Sequence, residues 1–240
     1  MPMHIKADAN DIAKNVLTVG NPERAKLLSI LLENPRLVNT NREFYVYTGL
    51  YKGVPVSIVA HGIGAASATL VFDELSQVGV KKIVRLGTSG ALKDEINVGD
   101  FVVSTGASYL PGGTIGEYVT EGFFVLAAVP DLILTKKVLD SLRRAGLRVH
   151  YGPTFSNDLF YSKYYSDELG ILTKHGFLCA EMECASLMAL SQIKGMRSAC
   201  ALLIVDNIVR GRDRTWTDEE ELEKLIMKAG SAVLDALVED

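Results

Sequence analysis

Short apolar runs rich in β-branched residues alternate with segments of helical period along most of the chain, and no other feature restricts the fold as much. Asn15 to Val19 (NVLTV) reads as a strand ending at Gly20, with Pro22 in the first turn of a following helix. Phe44 to Gly49 and Val54 to Ala60 read as a hairpin turning at Lys52-Gly53, with the helical run Ala65 to Val78 behind it. Ile96 to Thr105 is a strand kinked at Gly99-Asp100. Asp131 caps a helix reaching Ala145, and Leu147 to Tyr151 is again a strand. An aromatic-rich connection, Phe155 to Tyr165, leads on to Phe177 to Met182 and the helical run Cys184 to Lys194. Ser198 to Val205 reads as a fully buried strand. Asp218 to Val238 is a terminal amphipathic helix whose acidic first turn suits the helix dipole. Strands interleaved with helices predict an α/β fold with a central mixed, mostly parallel twisted sheet flanked by helices on both faces. With no repeat and no Pro-, Gly- or Ser-rich linker, residues 1–240 read as a single domain.

Within this pattern Ile83-Val84-Arg85-Leu86-Gly87-Thr88-Ser89-Gly90 stands out, because a charge inside an apolar strand is costly unless paired. It reads as a short buried strand running into a small-residue turn, whose backbone N–H groups and hydroxyls could hold an anion. A plain strand-end turn, with Arg85 reaching solvent or a structural carboxylate, fits these eight residues equally well. Arg24, Arg85, Glu181, Glu183 and Asp206 all fall near predicted strand ends, the edge at which open α/β sheets bind ligands. His61-Gly62-Ile63-Gly64 opens the second helix and lets a ligand approach the backbone closely, although a lone Gly-x-Gly more often marks only a tight turn.

Composition removes several classes. A net charge of −4 with the signs interspersed argues against bulk binding to nucleic acid or an anionic membrane. No apolar run is long enough to span a bilayer, and Met1 to Asn10 lacks the apolar core of a signal peptide, so a cytoplasmic location is expected. Cys179, Cys184 and Cys200 lack zinc-site spacing and read as buried free thiols, and no metal cluster is offered.

The chain resembles the nucleoside phosphorylase family of hexameric purine nucleoside phosphorylases, 5′-methylthioadenosine phosphorylases and uridine phosphorylases. The resemblance is carried by Gly20-Asn21-Pro22-Glu23-Arg24, Gly62-Ile63-Gly64-Ala65-Ala66-Ser67 with Glu74-Leu75, and Arg85-Leu86-Gly87-Thr88-Ser89-Gly90. Asn97-Val98-Gly99-Asp100, Asp158-Leu159-Phe160-Tyr161, Glu181-Met182-Glu183 and Val205-Asp206-Asn207 complete it. It looks closest to the archaeal type that accepts purine nucleosides and often 5′-methylthioadenosine.

The resemblance implies phosphorolysis of a purine nucleoside, with inorganic phosphate as co-substrate and no cofactor. Gly20, Arg24, Arg85 and Thr88 are expected to hold phosphate, with Arg42 supplied by a neighbouring subunit. Met182 and Glu183 are expected to hold the ribose, and His4, also from the neighbour, to lie near its 5′ position. Phe160 is expected to stack on the base, and Asp206 to face N7 as an acid whose pKa burial raises. The assembly implied is a homohexamer built as a trimer of dimers.

Three departures from the family pattern stand out: Asn21 for Asp, Ala66 for Pro, and Val205 where the purine branch carries Ser. Arg210, Arg212 and Arg214 all compete to support Asp206. The rivals are a uridine phosphorylase, a hydrolytic nucleosidase of the same fold and, last, a non-catalytic nucleoside-binding protein. The uridine branch reads its base through a Gln-x-Arg arrangement, absent from Ser162-Lys163-Tyr164-Tyr165-Ser166-Asp167.

Overall fold

A computed structural model describes residues 2–111, 113–119, 125–161, 165–211 and 218–239. In chain order the elements are β1 (Asn15–Val19), α1 (Pro22–Ser29), β2 (Glu33–Asn39), β3 (Val46–Tyr51), β4 (Val54–Ala60), α2 (Gly64–Gln77), β5 (Lys82–Ala91) and β6 (Phe101–Ser108). They continue with α3 (Thr114–Val119), α4 (Leu132–Arg144), β7 (Val149–Ser156), α5 (Tyr165–Lys174), β8 (Cys179–Glu181), α6 (Cys184–Lys194), β9 (Arg197–Asn207) and α7 (Glu219–Val238).

Local chemistry sets the boundaries. Asn21 caps α1 by accepting from Glu23 N–H at 2.8 Å. Asp131 caps α4 through Leu134 N–H at 2.7 Å, and Asp218 caps α7 through Glu221 N–H at 3.1 Å. Lys52 and Gly53 both take the left-handed backbone that a two-residue hairpin turn needs.

Among the described residues five strand pairings are parallel (β1–β4, β1–β5, β5–β9, β6–β7, β7–β8) and four antiparallel (β2–β3, β3–β4, β5–β8, β6–β9). The expected mixed, mostly parallel sheet is present, with one addition: β5, β9, β6, β7 and β8 pair in turn and return to β5, so this half closes into a ring. Both faces are covered. Ile83 and Leu202 pack with Phe72 of α2 and Leu187 of α6, while Val84 and Leu203, next in sequence, pack with Leu28 of α1, Leu142 of α4 and Leu234 of α7. That is the alternation of a strand buried on both sides.

Two expectations change. Gly87 to Gly90 is not a turn: β5 continues to Ala91, because β9 supplies ladder partners from Lys82↔Arg197 through Ala91↔Asn207. Nor does β9 end at Val205; it runs through Asn207, with a register shift that pairs Ser89 with Ile204 but Gly90 with Asp206. Val205 is thus the extra residue of a β-bulge, a device that re-aims the side chain after it.

Candidate active site

The site lies along one flank of β5. On the other flank the ladder to β9 is continuous. On this flank β1 pairs only as far as Arg85, and β8 begins at Gly90. Leu86 to Ser89 therefore have no strand neighbour there among the described residues, and a crevice opens where the ladder divides. The loops after β1, β4 and β8 converge on it: His61 N–H donates to Val19 O at 2.8 Å, and a Cβ on Gly20 would meet Gly62 O at 3.4 Å.

Arg85 is the hub. It is almost fully buried; its guanidinium forms ion pairs with Glu181 Oε2, at 3.1 Å, and with the Glu183 carboxylate, and donates through Nε to His61 Nε2 at 3.3 Å. Its Nη1 also lies 3.5 Å from Cys184 Sγ. The guanidinium folds forward over Gly87, where any Cβ would stand 2.3 Å from Nη1. Gly87 is therefore required by the side chain two residues before it, not by a turn.

The two glutamates are fixed from different directions. Glu181 accepts from the N–H groups of Glu183 (2.7 Å) and Cys184 (2.8 Å) at the start of α6, and from the Ser156 hydroxyl. Glu183 accepts from Gly64 N–H at 2.6 Å at the start of α2. Burial pushes the Glu183 carboxyl up, but the charge of Arg85, with His61 and the Gly64 N–H adding to it, holds the group below the ordinary carboxylate range. Burial, with the Arg85 charge second, pushes the His61 imidazole down to about 4, so it faces Arg85 as a neutral acceptor.

Arg24 is half-buried in the first turn of α1 and has no ion pair among the described residues. Burial, then the charge of Arg85, lowers its pKa, which puts two cations within electrostatic reach of each other. Thr88 is half-buried, in register with Leu203, and makes no side-chain hydrogen bond among the described residues. Met182 lies over Gly64, where a Cβ would come 3.9 Å from its Cε.

Asp206 is half-buried just past the bulge, and a Cβ on Gly90 would lie 2.7 Å from its Oδ1. From Gly87, beneath the guanidinium, to Gly90, beside the Asp206 carboxylate, three residues of strand span roughly 10 Å.

A model of the phosphorylase superfamily matches residues 14–239. The chain belongs to that superfamily. It is 33% identical over 227 residues to a purine nucleoside phosphorylase DeoD-type of Colwellia psychrerythraea, covering 94% of this chain and 95% of that protein. To the uridine phosphorylase of Thermococcus kodakarensis it is 33% identical over 224 residues (87% and 78%), and to the guanosine phosphorylase of Halorubrum lacusprofundi 32% over 220 residues (91% and 89%). The family read from the motifs holds, and the names of these relatives span purine and pyrimidine nucleosides.

The remaining candidate residues of this superfamily member stand outside the Arg85 cluster. Phe160 is 59% exposed and packs edge-on to Tyr161, on the chain leaving β7, which is tied back by Asn157 N–H donating to Glu181 O at 2.8 Å. His4 is held on α2 by Glu74, ten residues beyond Gly64 and so roughly 15 Å along the helix from the Glu183 contact. Arg42 is exposed in a 3-10 turn at Asn41–Glu43 with a left-handed φ of 53°. Asn41 Nδ2 donates to His4 O at 2.8 Å, so the segments carrying His4 and Arg42 are joined to each other.

Arg210 is taken up by Asp94 (2.7 Å) and Asn97 (3.1 Å), which removes it from support of Asp206; Arg212 and Arg214 lie outside the described residues. Sequence reasoning counted Glu181 among the strand-end residues but gave neither it nor His61 a specific role; Glu181 ends β8 and His61 follows directly on β4, both leading into the crevice. Cys179, Cys184 and Cys200 are buried free thiols, as expected, with burial pushing Cys179 up to about 12. Among the described residues no His, Cys, Asp and Glu cluster could hold a metal ion, and no helix is long and apolar enough to cross a membrane.

Proposed function

We propose that the chain is a purine nucleoside phosphorylase that also takes 5′-methylthioadenosine. The observation that carries this reading is the pair Arg24 and Arg85: two cations close enough to perturb one another, at a crevice, with Arg24 lacking a carboxylate partner among the described residues. Arg24 is the cation without an anion, and inorganic phosphate, held also by Arg85, Gly20 and Thr88, meets the need. Glu183, kept ionised by Arg85, retains acceptor capacity beyond Gly64 N–H and the guanidinium, enough to take the 2′- and 3′-hydroxyls beside Met182. A phosphate oxygen bonds to C1′ as the C1′–N9 bond breaks, and the electron pair enters the purine. Asp206 gives its proton to N7, so the base leaves neutral, with Phe160 against its ring. No metal or organic cofactor enters this scheme.

His4 and Arg42 complete a neighbour's site in this reading, which agrees with the distance of His4 from the Glu183 contact and with the outward placement of Arg42. A trimer of dimers is the assembly proposed.

A uridine phosphorylase is the second reading, favoured by the identity to the Thermococcus relative. The missing Gln-x-Arg after Tyr161 opposes it. Initial rates on adenosine, inosine, guanosine, 5′-methylthioadenosine and uridine, each with and without phosphate, decide. Purine cleavage that depends on phosphate is expected. Cleavage confined to uridine would select the second reading, and equal rates without phosphate would make the enzyme a hydrolase.

A further inference from the structure

The Glu74 carboxylate does more than anchor the N-terminal segment. It accepts backbone N–H groups from Met3 (3.1 Å), His4 (3.0 Å) and Ile5 (2.7 Å), and its Oε1 also lies 2.8 Å from His4 Nδ1. Burial pushes the carboxyl up, but the bonds from Ile5 N–H, the His4 ring and His4 N–H together keep it below its ordinary range. An ionised carboxylate only accepts, so the hydrogen on the His4 ring is drawn to Nδ1. A neutral imidazole carries a single N–H. Nε2 is then left with a bare lone pair, pointing away from its own chain's anchor.

We infer that Glu74 is a positioning and specificity-determining residue: by fixing the Nδ1–H tautomer of His4, it makes Nε2 an acceptor that selects nucleosides bearing a hydrogen-bond donor at the 5′ position. This rests on the proposed placement of His4 against a neighbour's ribose. A 5′-hydroxyl or 5′-ammonium can donate to Nε2. A 5′-fluoro or 5′-methylthio group brings only lone pairs to face it, so 5′-methylthioadenosine is accepted against this preference. One hydrogen bond made or missed is worth roughly 3- to 10-fold in kcat/KM.

The test compares kcat/KM for the 5′-amino-5′-deoxy and 5′-deoxy-5′-fluoro analogues of the best purine nucleoside, in the parent enzyme, Glu74→Gln and His4→Ala. The two substrates share base, sugar ring and phosphate chemistry, so damage to folding or assembly cancels in their ratio. The parent is expected to favour the amino analogue by roughly 3- to 10-fold. In Glu74→Gln the negative charge that draws the ring hydrogen to Nδ1 is gone, so the preference should fall towards unity. In His4→Ala it should fall to near unity.

A parent ratio at or below one overturns the proposal. If His4→Ala keeps the parent ratio, the placement of His4 at the 5′ position fails, and the inference with it. If His4→Ala abolishes the ratio while Glu74→Gln preserves it, only the role of Glu74 is overturned. Should Glu74→Gln not assemble, ¹⁵N spectra of histidine-labelled parent enzyme decide. The chain has four histidines, and the signal lost in His4→Ala identifies the one of interest. At a pH where those spectra show that ring neutral, the Nδ1–H tautomer supports the inference and the Nε2–H tautomer refutes it.

Discussion

Replacing Arg85 by methionine keeps most of the side-chain volume and removes the charge on which two buried carboxylates depend. Glu181 and Glu183 both contact this guanidinium, and neither has another cationic partner among the described residues. Breaking a buried ion pair from one side costs about 3–5 kcal/mol, because the surviving charge stays desolvated. Taking about 4 kcal/mol and a urea slope of about 3 kcal/mol/M, the midpoint of unfolding should fall by about 1.3 M at pH 7.5.

The pH dependence is the sharper part. In the parent, burial raises the Glu183 carboxyl, and Arg85 supplies the largest of the contributions that together reverse that. In Arg85→Met the largest opposing contribution is gone and burial, the strongest single influence, prevails over the Gly64 N–H, so the folded-state pKa rises above the unfolded value. The penalty is then full at high pH and fades as pH falls through the raised pKa. The difference between variant and parent should therefore shrink between pH 7.5 and pH 5. Adding Glu183→Gln should recover part of the loss, since a neutral amide tolerates the apolar neighbour better. All unfolding must be compared at one protomer concentration, because association shifts the apparent stability. A loss below about 1 kcal/mol at pH 7.5, or no recovery in the double variant, would refute the account of the ion cluster.

His61 makes a second pH prediction: its folded pKa is pushed from 6.5 to about 4, so the unfolded chain takes up a proton in that window while the folded chain does not. Stability that is full above the unfolded pKa should drain away as pH falls towards the folded one, by about 3 kcal/mol from this group. In His61→Gln the urea midpoint should depend less on pH across this range, and an unchanged slope would count against it. At the other end of the crevice, Asp206→Asn should slow phosphorolysis of inosine by about 10²–10⁴-fold while sparing a nucleoside whose base already leaves well, such as 7-methylguanosine. Equal losses on both would remove Asp206 from the role of acid.

Much of this was legible in the sequence because the signals are local. The caps Asp131 and Asp218, the Lys52-Gly53 hairpin and the doubly buried strands are each set by a few adjacent residues. What escaped depends on partners distant in the chain. Gly87 and Gly90 look like turn residues, yet Gly87 makes room for Arg85 and Gly90 for Asp206 and Ile208, in a strand whose length is set by β9. The bulge at Val205 cannot be seen in an apolar run, since nothing in the run itself says which residue lacks a partner. β2 was missed for a related reason: Glu33, Asn34, Pro35 and Arg36 are exposed and polar, and only the ladder to β3 makes them a strand. At the site, residue types and order pointed to the crevice. That Arg85 would face Glu181, Glu183 and His61 together is a matter of how the loops meet.

The closed ring of strands bears on how this protein behaves when crowded. Sheets aggregate through unpaired edges, and pairing β5, β9, β6, β7 and β8 into a ring leaves no strand of that half with a wholly unpaired flank. Among the described strands only β2 has a flank that no other strand covers at all, and it makes a poor template for a stray strand. Asn34 has a left-handed φ of 51°, Pro35 has no N–H to offer, and the ladder to β3 shifts register twice within the strand. A chain that must keep a crevice open along one strand thus presents few other places where a foreign strand could add to it.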